Sequence, residues 1–449
     1  MKKLYSLVIL CVFGFLSAQN PDYKKSIDSL MNYLQENNAF SGSVLIQKNG
    51  ETIYKGEFNK FANSSDKYRI GSITKVFTAI ITFQLIEEGK LSLDTKLSQY
   101  FPTIKNADNI IIKNMLNHTS GIYDYLQWED YYTKKSEDYT REDLLKLITQ
   151  GKPEFKPGQD SSYSNSNYLL LGYIIEAITG KSFADNIKTR ITDKIGLANT
   201  YVETSEKEYA KRNASYNYNG ETWTKETETN PTFTLAAGAI VSSPEDLTKL
   251  MQNLFEGNLV SKSSLEQMEK TNTKTWIGYG LFKAPFYKKI GYGHSGRVDE
   301  FNSFVGYFPE DNLAFSFLSN GTNIKINEIV NGVVSKYYNT KYTYPNFTTY
   351  KSKTAPPTEI YIGNYKAQLA GLITVGKFQI TQAGKDHLFV SMSDQGANSE
   401  KALLERKGEN NFYARKFNSE FNFVLDKKGK VTGIQMTQGK QSIKCKKID

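Results

Sequence analysis

A serine and a lysine three residues apart open a largely apolar stretch, RIGSITKVFT, which runs from Arg69 to Thr78. If a helix begins at Ser72, its hydroxyl and the amine of Lys75 lie on one face, one turn apart. The N–H groups and the dipole of a helix N-terminus favour an alkoxide at Ser72 and disfavour an ammonium at Lys75. Burial lowers the pKa of Lys75 further. A neutral Lys75 can then act as the base for a Ser72 nucleophile.

This spacing is weak evidence by itself, because serine and lysine are common residues. It recurs at Ser64 and Lys67, within the polar stretch ANSSDKY. We interpret that second copy as accidental, since no apolar helix follows it. The predicted helix start at Ser72 therefore distinguishes the first copy.

Two later segments supply groups that suit the same chemistry. Tyr163 and Asn165 stand just before a predicted helix. A phenol near cations can shuttle a proton between nucleophile and leaving group, and an amide can hold a substrate carbonyl. His294, Ser295 and Gly296 precede a strand-like run, where a glycine lets a substrate approach the strand edge.

The chain shows no pattern typical of a metal or cofactor site. Its three histidines, His118, His294 and His387, are far apart and lack metal-ligand spacing. We interpret His118 and His387 as structural residues. Of the two cysteines, only Cys445 lies beyond the predicted signal peptide, so no internal disulfide is expected. We therefore expect neither a metal nor another cofactor.

The elements that must position these residues follow from periodicity and turn signals. Helical patterns are predicted around residues 27–34, from Ser72 to about Glu88, from about Asn167 to Thr179, and after an N-cap at Ser243. A β-hairpin is predicted around Asn49-Gly50, and strands are predicted in GYGLFK, EFNSFVGYF and LAFSFLSN. Strands, then helices, then strands predict a sandwich whose sheet joins both ends of this region.

A second domain is predicted at the C-terminal end. Residues 339–358 are rich in Thr, Tyr, Lys and Pro and form the predicted linker. Residues 359–449 contain short alternating runs, such as Phe421, Phe423 and Leu425, with turn residues between them. This pattern is typical of an antiparallel barrel or sandwich.

The N-terminus predicts export. Residues 1–18 have a basic start, an apolar run from Leu7 to Leu16, and small residues Ser17 and Ala18, as in a secretory signal peptide. No later run is long enough to span a bilayer. After cleavage 54 basic and 47 acidic residues remain, a charge of +7 spread along the chain. We expect a periplasmic or extracellular protein that does not bind nucleic acid.

Taken together, these motifs resemble the penicillin-recognising serine hydrolases, which include class C β-lactamases, D-Ala-D-Ala carboxypeptidases, D-aminopeptidases and related esterases. The resemblance runs from about Phe40 to Asn320 and includes FSGSVLI, RIGSITKVFTA, MLNHTSGI, YSNSNYLLLGYIIEAITGKSF, AAGAIVSSPEDL and YGHSG. It implies an α+β fold of the β-lactamase/transpeptidase type over residues 19–338: an antiparallel sheet flanked by helices, plus a helical subdomain. The tail, from YIGNYK onward, resembles the small lipocalin-like β-domain of some relatives.

The resemblance also implies a role for each site residue. Ser72 is the acylated nucleophile, Lys75 its partner, Tyr163 the proton relay and Asn165 a substrate contact. The third motif, His294, Ser295 and Gly296, binds substrate, and the backbone N–H groups of Ser72 and Arg297 form the oxyanion hole. Whether Lys75 or Tyr163 is the base in a given step stays open.

One departure from the family bears on the substrate. β-Lactamases and carboxypeptidases usually begin the third motif with lysine, whereas this chain has His294, mostly neutral at pH 7. The sequence therefore predicts an exported serine hydrolase that acts through an acyl-enzyme on amides or esters of a small molecule or peptide, with peptides that contain D-amino acids among the candidate substrates. The alternatives are a broad esterase, a weak β-lactamase, or a non-catalytic binding protein that retains the fold. The oligomeric state stays open.

Overall fold

The computed structural model describes most of the chain. The described residues are 22–61, 65–272, 275–348, 350, 352, 354–369, 373–392 and 401–448. The predicted signal peptide, residues 1–18, lies outside them, and so does Ser64. Among the described residues, no helix is both long enough and apolar enough to cross a membrane.

Helices occupy the middle of the chain and both ends of its first 340 residues. In chain order they are α1 Tyr23–Glu36, α2 Thr74–Glu87, α3 Ile112–Leu116, α4 Tyr131–Lys134, α5 Arg141–Gln150, α6 Asn165–Thr179, α7 Phe183–Ile187, α8 Asp193–Ile195, α9 Pro231–Gly238, α10 Pro244–Phe255, α11 Lys262–Met268 and α12 Ile326–Tyr337. The helices predicted from periodicity are confirmed as α1, α2, α6 and α10. Ser243 caps α10 as predicted, because its hydroxyl accepts a bond from the N–H of Asp246 at 3.3 Å.

The strands fall into two large and two small groups. In chain order they are β1 Phe40–Lys48, β2 Glu51–Glu57, β3 Tyr68–Arg69, β4 Tyr201–Val202, β5 Tyr216–Tyr218, β6 Trp223–Lys225, β7 Ile240–Ser242, β8 Phe282–Phe286, β9 Lys289–Val298, β10 Phe301–Phe308, β11 Leu313–Thr322, β12 Gly363–Leu369, β13 Ile373–Gln382, β14 Leu388–Met392, β15 Lys401–Arg406, β16 Asn411–Ala414, β17 Ser419–Leu425, β18 Val431–Gln438 and β19 Gln441–Lys447.

The main sheet is antiparallel and has the strand order β2-β1-β11-β10-β9-β8. Strand β1 lies beside β11, with Phe40 opposite Thr322 and Lys48 opposite Leu313, so the sheet joins both ends of this region as predicted. The predicted hairpin turn is also confirmed: Asn49 and Gly50 both have positive φ, 51° and 80°. Those values suit a turn whose twist matches that of the flanking strands.

Helix α2 runs through the core between the sheet and the remaining helices. Nearly all of its residues are buried, including the polar residues Thr74, Lys75 and Thr78. A helix buried on all sides needs few charges, and each polar group on it must find a partner inside the protein. The arrangement confirms the predicted fold class, an antiparallel sheet packed against helices.

The C-terminal strands close into an eight-stranded antiparallel barrel, β12 to β19 in sequence order. Its interior is filled by its own apolar core, in which Phe412, Phe421 and Phe423 are buried. Alternation predicted an antiparallel barrel or sandwich, and the structure confirms the barrel, as the resemblance to a lipocalin-like domain implied. The predicted boundaries at 338/339 and 358/359 stay predictions.

Candidate active site

Ser72 lies in a single 3₁₀ turn, Gly71–Ile73, which leads into α2. The sequence predicted that the helix begins at Ser72 itself, whereas α2 begins at Thr74. The cause is the sharp entry at Gly71, whose φ is +50°. A Cβ atom at Gly71 would lie 2.6 Å from the backbone nitrogen of Arg297, so only glycine permits this approach. The nucleophile candidate and the backbone of Arg297 are thereby brought side by side.

Lys75 lies one turn further on, fully buried beneath Ser72. Its Nζ is 2.9 Å from Ser72 Oγ, 2.8 Å from Asn165 Oδ1 and 2.8 Å from the carbonyl oxygen of Ala237. Burial lowers the pKa of Lys75 to about 7, although the Asp124 carboxylate opposes this shift. The neutral amine is therefore far better populated near neutral pH than it is in a free lysine.

These three contacts suit a neutral Lys75 that accepts a proton. A neutral amine has two N–H groups and one lone pair. The carbonyl oxygens of Asn165 and Ala237 are acceptors only, so they take the two N–H groups. The lone pair is then directed at the remaining neighbour, the hydroxyl of Ser72.

The Ala237 carbonyl is held at this position by a break in α9. Leu235 interrupts the helix with φ +30° and ψ −119°, an unusual conformation for a residue with a side chain. The next two carbonyl groups face α2: Ala236 accepts a bond from Thr78 Oγ1 at 2.8 Å, and Ala237 accepts one from Lys75. Strained backbone conformations of this kind cost about 1–3 kcal/mol. The strain at Leu235 thus occurs where the Ala237 carbonyl is oriented to accept the bond from Lys75.

Asn165 is the first residue of α6, two positions earlier than the sequence predicted. Its amide nitrogen donates to Asp124 Oδ2 at 3.0 Å, which leaves its oxygen facing Lys75. Burial raises the pKa of Asp124, partly offset by bonds from the N–H of Leu126 and from Asn165. Asp124 therefore fixes which end of the Asn165 amide meets the lysine.

Tyr163 lies above Lys75, with the ammonium nitrogen 5.0 Å from its ring centroid. Burial raises the pKa of Tyr163, and a hydrogen bond with Ser72 only partly offsets this effect. The phenol is therefore protonated at neutral pH. His118 stacks against its ring with centroids 4.2 Å apart, and burial holds the pKa of His118 well below its ordinary value. The neutral His118 ring thus holds the Tyr163 ring in position by stacking on its face.

The third motif lies on β9 at the opposite wall. Burial, together with the nearby Lys75, lowers the pKa of His294 to about 3, so its imidazole is neutral. Its Nδ1 is 2.5 Å from the carbonyl oxygen of Ser295, which places the proton on Nδ1 and leaves Nε2 as an acceptor. The Phe282 ring stacks on His294 with centroids 4.2 Å apart.

Gly296 has a packing role that the sequence did not predict. A Cβ atom there would lie 1.9 Å from the carbonyl oxygen of Ile70, so β9 packs directly on the segment that leads into Ser72. The hydroxyl of Ser303, on the next strand, donates to the same oxygen at 2.8 Å. Contact between Gly296 and a substrate stays a prediction.

A buried ion network joins the nucleophile segment to the turn that follows β9. The side chain of Arg69 donates to Asp299 Oδ2 at 3.3 Å and to the Thr229 carbonyl at 2.7 Å. Lys135 contacts the other oxygen of Asp299 at 2.7 Å. Although burial raises the pKa of Asp299, these cations outweigh it and lower the pKa overall. The network therefore holds the backbone around Ser72 against that of Arg297.

The predicted site residues line one cleft of about 430 Å³ or contact it directly. Its walls include Ser72, Tyr163, His294, Ser295, Gly296 and Arg297. Lys75 and Asn165 adjoin it through their bond to each other and the bond from Lys75 to Ser72. His387 lies elsewhere, 3.9 Å from Glu221. Among the described residues, no cluster of His, Cys, Asp and Glu has the arrangement of a metal site.

Sequence reasoning missed several contributors to this cleft. Asp124 is the only acid in the stretch GIYDYLQ, and an acid among apolar residues was the available signal. The carbonyl of Ala237 left no signal, because a backbone atom has no residue type. Lys416 also lines the cleft, although it belongs to the barrel. No local pattern could have placed it there.

Replacing Asp124 by asparagine is expected to shift the pH dependence of the site. The Asp124 carboxylate raises the pKa of Lys75, so its removal lets that pKa fall below about 7. If the neutral amine is the base, the rise of kcat/KM with pH moves to lower pH. The measurement is kcat/KM for a small ester across pH 5–9 for Asp124→Asn, with the exposed Asp108→Asn as control. An unchanged midpoint, in a folded Asp124→Asn protein, would contradict this electrostatic role.

Comparison with known proteins agrees with this geometry. The family model described as Beta-lactamase matches residues 27–330. A teichoic acid D-alanine hydrolase from Staphylococcus aureus (strain MRSA252) is 31% identical over 343 residues, which cover 72% of this chain and 81% of that protein. The D-amino acid amidase from Ochrobactrum anthropi SV3 superposes with a TM-score of 0.63 and 25% identity, covering 71% of this chain and 99% of that one.

One structural match also extends over the barrel. The octameric penicillin-binding protein homologue from Pyrococcus abyssi has a TM-score of 0.62 at 24% identity, and the match covers 95% of this chain and 100% of that one. At this identity the likeness concerns the fold alone. The family match nevertheless includes every residue that lines the cleft except Lys416. This chain therefore belongs to the Beta-lactamase family and is a serine hydrolase.

Proposed function

We propose that this protein hydrolyses esters or amides of D-amino acids outside the cytoplasm, through an acyl-enzyme on Ser72. The observation that carries the mechanism is the buried Lys75, which contacts Ser72 Oγ and two fixed carbonyl acceptors. The choice of D-aminoacyl substrates is supported by the relatives, which are named as a D-alanine hydrolase and a D-amino acid amidase. Export is supported by the predicted signal peptide at residues 1–18.

In the acylation half-reaction, Lys75 Nζ takes the proton of Ser72 Oγ as that oxygen attacks the substrate carbonyl. The developing oxyanion is held by the backbone N–H groups of Ser72 and Arg297. The close approach of Gly71 to Arg297 supports this pairing, since it brings the two backbone segments together.

Tyr163 completes the proton transfer to the leaving group. Its raised pKa keeps the phenol protonated, which suits a donor better than a base. The phenol gives its proton to the leaving oxygen or nitrogen and recovers one from the Lys75 ammonium. In deacylation, water replaces the leaving group and the same transfers run in reverse.

The neutral His294 suits a substrate with an α-amino group. A lysine at this position would repel the ammonium of a D-aminoacyl group, whereas an imidazole with a free acceptor nitrogen can receive a hydrogen bond from it. This difference favours aminoacyl substrates over those that the usual third-motif lysine binds.

We further propose residues 19–338 as the hydrolase domain, 339–358 as the linker and 359–449 as the barrel domain.

A substrate panel is expected to rank D-aminoacyl compounds first. We expect kcat/KM for D-alanyl esters and D-alanine amides to exceed that for their L-enantiomers by about tenfold or more, and to exceed that for nitrocefin. The measurement is initial-rate kinetics with the full chain, with Ser72→Ala as the blank. Equal rates on both enantiomers would indicate a broad esterase. A kcat/KM for nitrocefin above roughly 10⁶ M⁻¹s⁻¹, in the range of efficient enzymes, would indicate a β-lactamase instead.

A further inference from the structure

The barrel contributes one residue to the cleft that holds Ser72. Lys416 lies in the 3₁₀ turn Arg415–Phe417, between β16 and β17. It lines the cleft, whereas every other lining residue lies at or before Asn327. Its side chain is only 8% exposed, and its Nζ is 2.6 Å from Glu300 Oε2. A cation from the far end of the chain is therefore buried at the wall of the active site.

The lining of this cleft has an excess of positive charge. Its charged members are Arg297, Lys325 and Lys416, and no aspartate or glutamate is among them. Behind the wall, Glu300 contacts Lys416 at 2.6 Å and Arg297 at 3.9 Å. The single carboxylate of Glu300 thus lies beside two cations, Lys416 and Arg297.

Lys325, the residue before α12, is the third cation. It is exposed, and it forms no salt bridge within 4 Å among the described residues. Its charge partly offsets the effect of burial, which raises the pKa of Glu328. Glu328 is not among the residues that line the cleft. The positive charge at Lys325 therefore faces the cleft without a carboxylate beside it there.

A purely structural role explains this arrangement poorly. An ion pair as buried as Lys416–Glu300 gains little net stability, because desolvation of both charges offsets their attraction. It would also leave the positive charge at Lys325 without a function. A bound anion accounts for all three cations at once, since charge-assisted bonds to an oxyanion are strong in a partly desolvated cleft.

We propose that this cleft binds an anionic group of the substrate, a carboxylate or a phosphate, and that Lys416 of the barrel and Lys325 are specificity-determining residues for it. This inference rests on the proposed function. The α-ammonium of a D-aminoacyl group would be repelled by these cations, so the anionic group belongs to the leaving alcohol or amine. The barrel is then part of the substrate site.

The test compares three D-alanyl esters of small two-carbon alcohols, one neutral and two anionic: ethylene glycol, glycolic acid and 2-hydroxyethyl phosphate. We expect the full-length protein to prefer one or both anionic esters over the neutral ester by about tenfold in kcat/KM. The preference should shrink as ionic strength rises from about 0.02 to 0.5 M, because salt screens exposed charges. The carboxylate and phosphate esters distinguish the two kinds of anion.

Variants assign the preference to particular lysines. Lys325→Gln and Lys416→Gln should each lower the anionic-to-neutral ratio by about three- to tenfold, whereas Lys428→Gln, an exposed barrel lysine outside the cleft, should leave it unchanged. Because Lys416→Gln removes the nearer of the two cations beside the buried Glu300, the double variant Glu300→Gln/Lys416→Gln keeps the test valid. If Lys416 serves only to attach the barrel, the double variant retains the wild-type ratio of kcat/KM for anionic and neutral esters. We expect this ratio to stay low in the double variant, as in Lys416→Gln.

A binding measurement separates this inference from the proposed function. Ethyl phosphate and acetate should protect Ser72 from a neutral fluorophosphonate probe, and this protection should weaken in Lys325→Gln. Protection without hydrolysis of any D-alanyl ester would support the anion site and refute the proposed substrate. Hydrolysis of all three esters at equal rates, with no protection by either anion, would overturn the anion site and leave the proposed function standing.

Discussion

Replacing Ser72 by alanine is expected to abolish covalent labelling by a fluorophosphonate and to lower kcat for a D-alanyl ester by roughly 10⁴-fold or more, because no other group replaces the lost oxygen nucleophile. The fold should remain intact. Ser72 is a small residue at the start of a helix, and its hydroxyl is one of three partners of Lys75. The measurements are intact-protein mass after labelling, steady-state kinetics, and circular dichroism.

The second Ser-x-x-Lys copy supplies the matched control. Ser64→Ala should label and turn over like the unmodified protein, because its partner Lys67 has a partly exposed side chain and lies in a polar segment. Loss of labelling in Ser64→Ala, with Ser72→Ala unaffected, would move the nucleophile to the other copy. Equal labelling of Ser72→Ala and the unmodified protein would also contradict the assignment.

Replacing Lys75 is expected to have the next largest effect. Lys75→Ala should slow acylation by roughly 10³-fold or more, and Lys75→Arg should not restore it, because a guanidinium stays charged and cannot accept a proton. The measurement is single-turnover acylation between about pH 5 and 10. The unmodified protein should accelerate through pH about 7, where Lys75 loses its proton. A near-native rate in Lys75→Arg would exclude a neutral amine as the base, and Lys67→Ala serves as the control.

A further replacement of Lys75 should reveal a stability cost at this site. Because the folded-state pKa of Lys75 lies at about 7 rather than 10.5, the unfolded chain binds more protons between these values. The contribution of Lys75 to the free energy of unfolding therefore rises as pH increases from about 7 to 10.5. We expect Lys75→Met to gain stability relative to the unmodified protein at pH 7 and to lose this advantage toward pH 10. Urea unfolding at the two pH values measures the difference, and a pH-independent difference would contradict the lowered pKa.

The helices and strands around the site were predictable because their signals are local. Asn49-Gly50 allows the positive φ values of a tight hairpin, and Gly180, in the left-handed conformation, ends α6. Ser72 and Lys75 share one side of a helix start, so their contact follows from helical geometry alone. Alternating residues such as Phe421 and Phe423 predicted strands whose inner face fills the barrel.

The start of α2 was displaced by a contact that local sequence does not encode. Propensity and periodicity predict a helix from Ser72, but the approach of Arg297 to Gly71 imposes one 3₁₀ turn first. Similarly, the sequence suggested that Gly296 makes room for a substrate. The structure shows that Ile70, a residue more than two hundred positions away, also requires this room, whereas contact with a substrate stays a prediction.

The electrostatics of the cleft depended on tertiary structure in the same way. From the sequence, burial of Lys75 was an expectation; its pKa of about 7 results from complete burial, opposed by Asp124. The sequence also indicated that a mostly neutral residue, His294, replaces the lysine that usually begins the third motif. Arg297, Lys325 and Lys416 nevertheless line the cleft, and one of them comes from the barrel.

The sequence by itself therefore determined the residue types, their spacing within each element, and the family to which they belong. These are properties of short segments, in which side chains three or four apart along a helix, or two apart along a strand, share a face. Only the tertiary structure decided what surrounds Lys75: the amide of Asn165 oriented by Asp124, the carbonyl of Ala237 turned by Leu235, and a barrel lysine at the same cleft. Those partners are distant in sequence, and burial, which shifts a pKa most, is a property of the packed molecule.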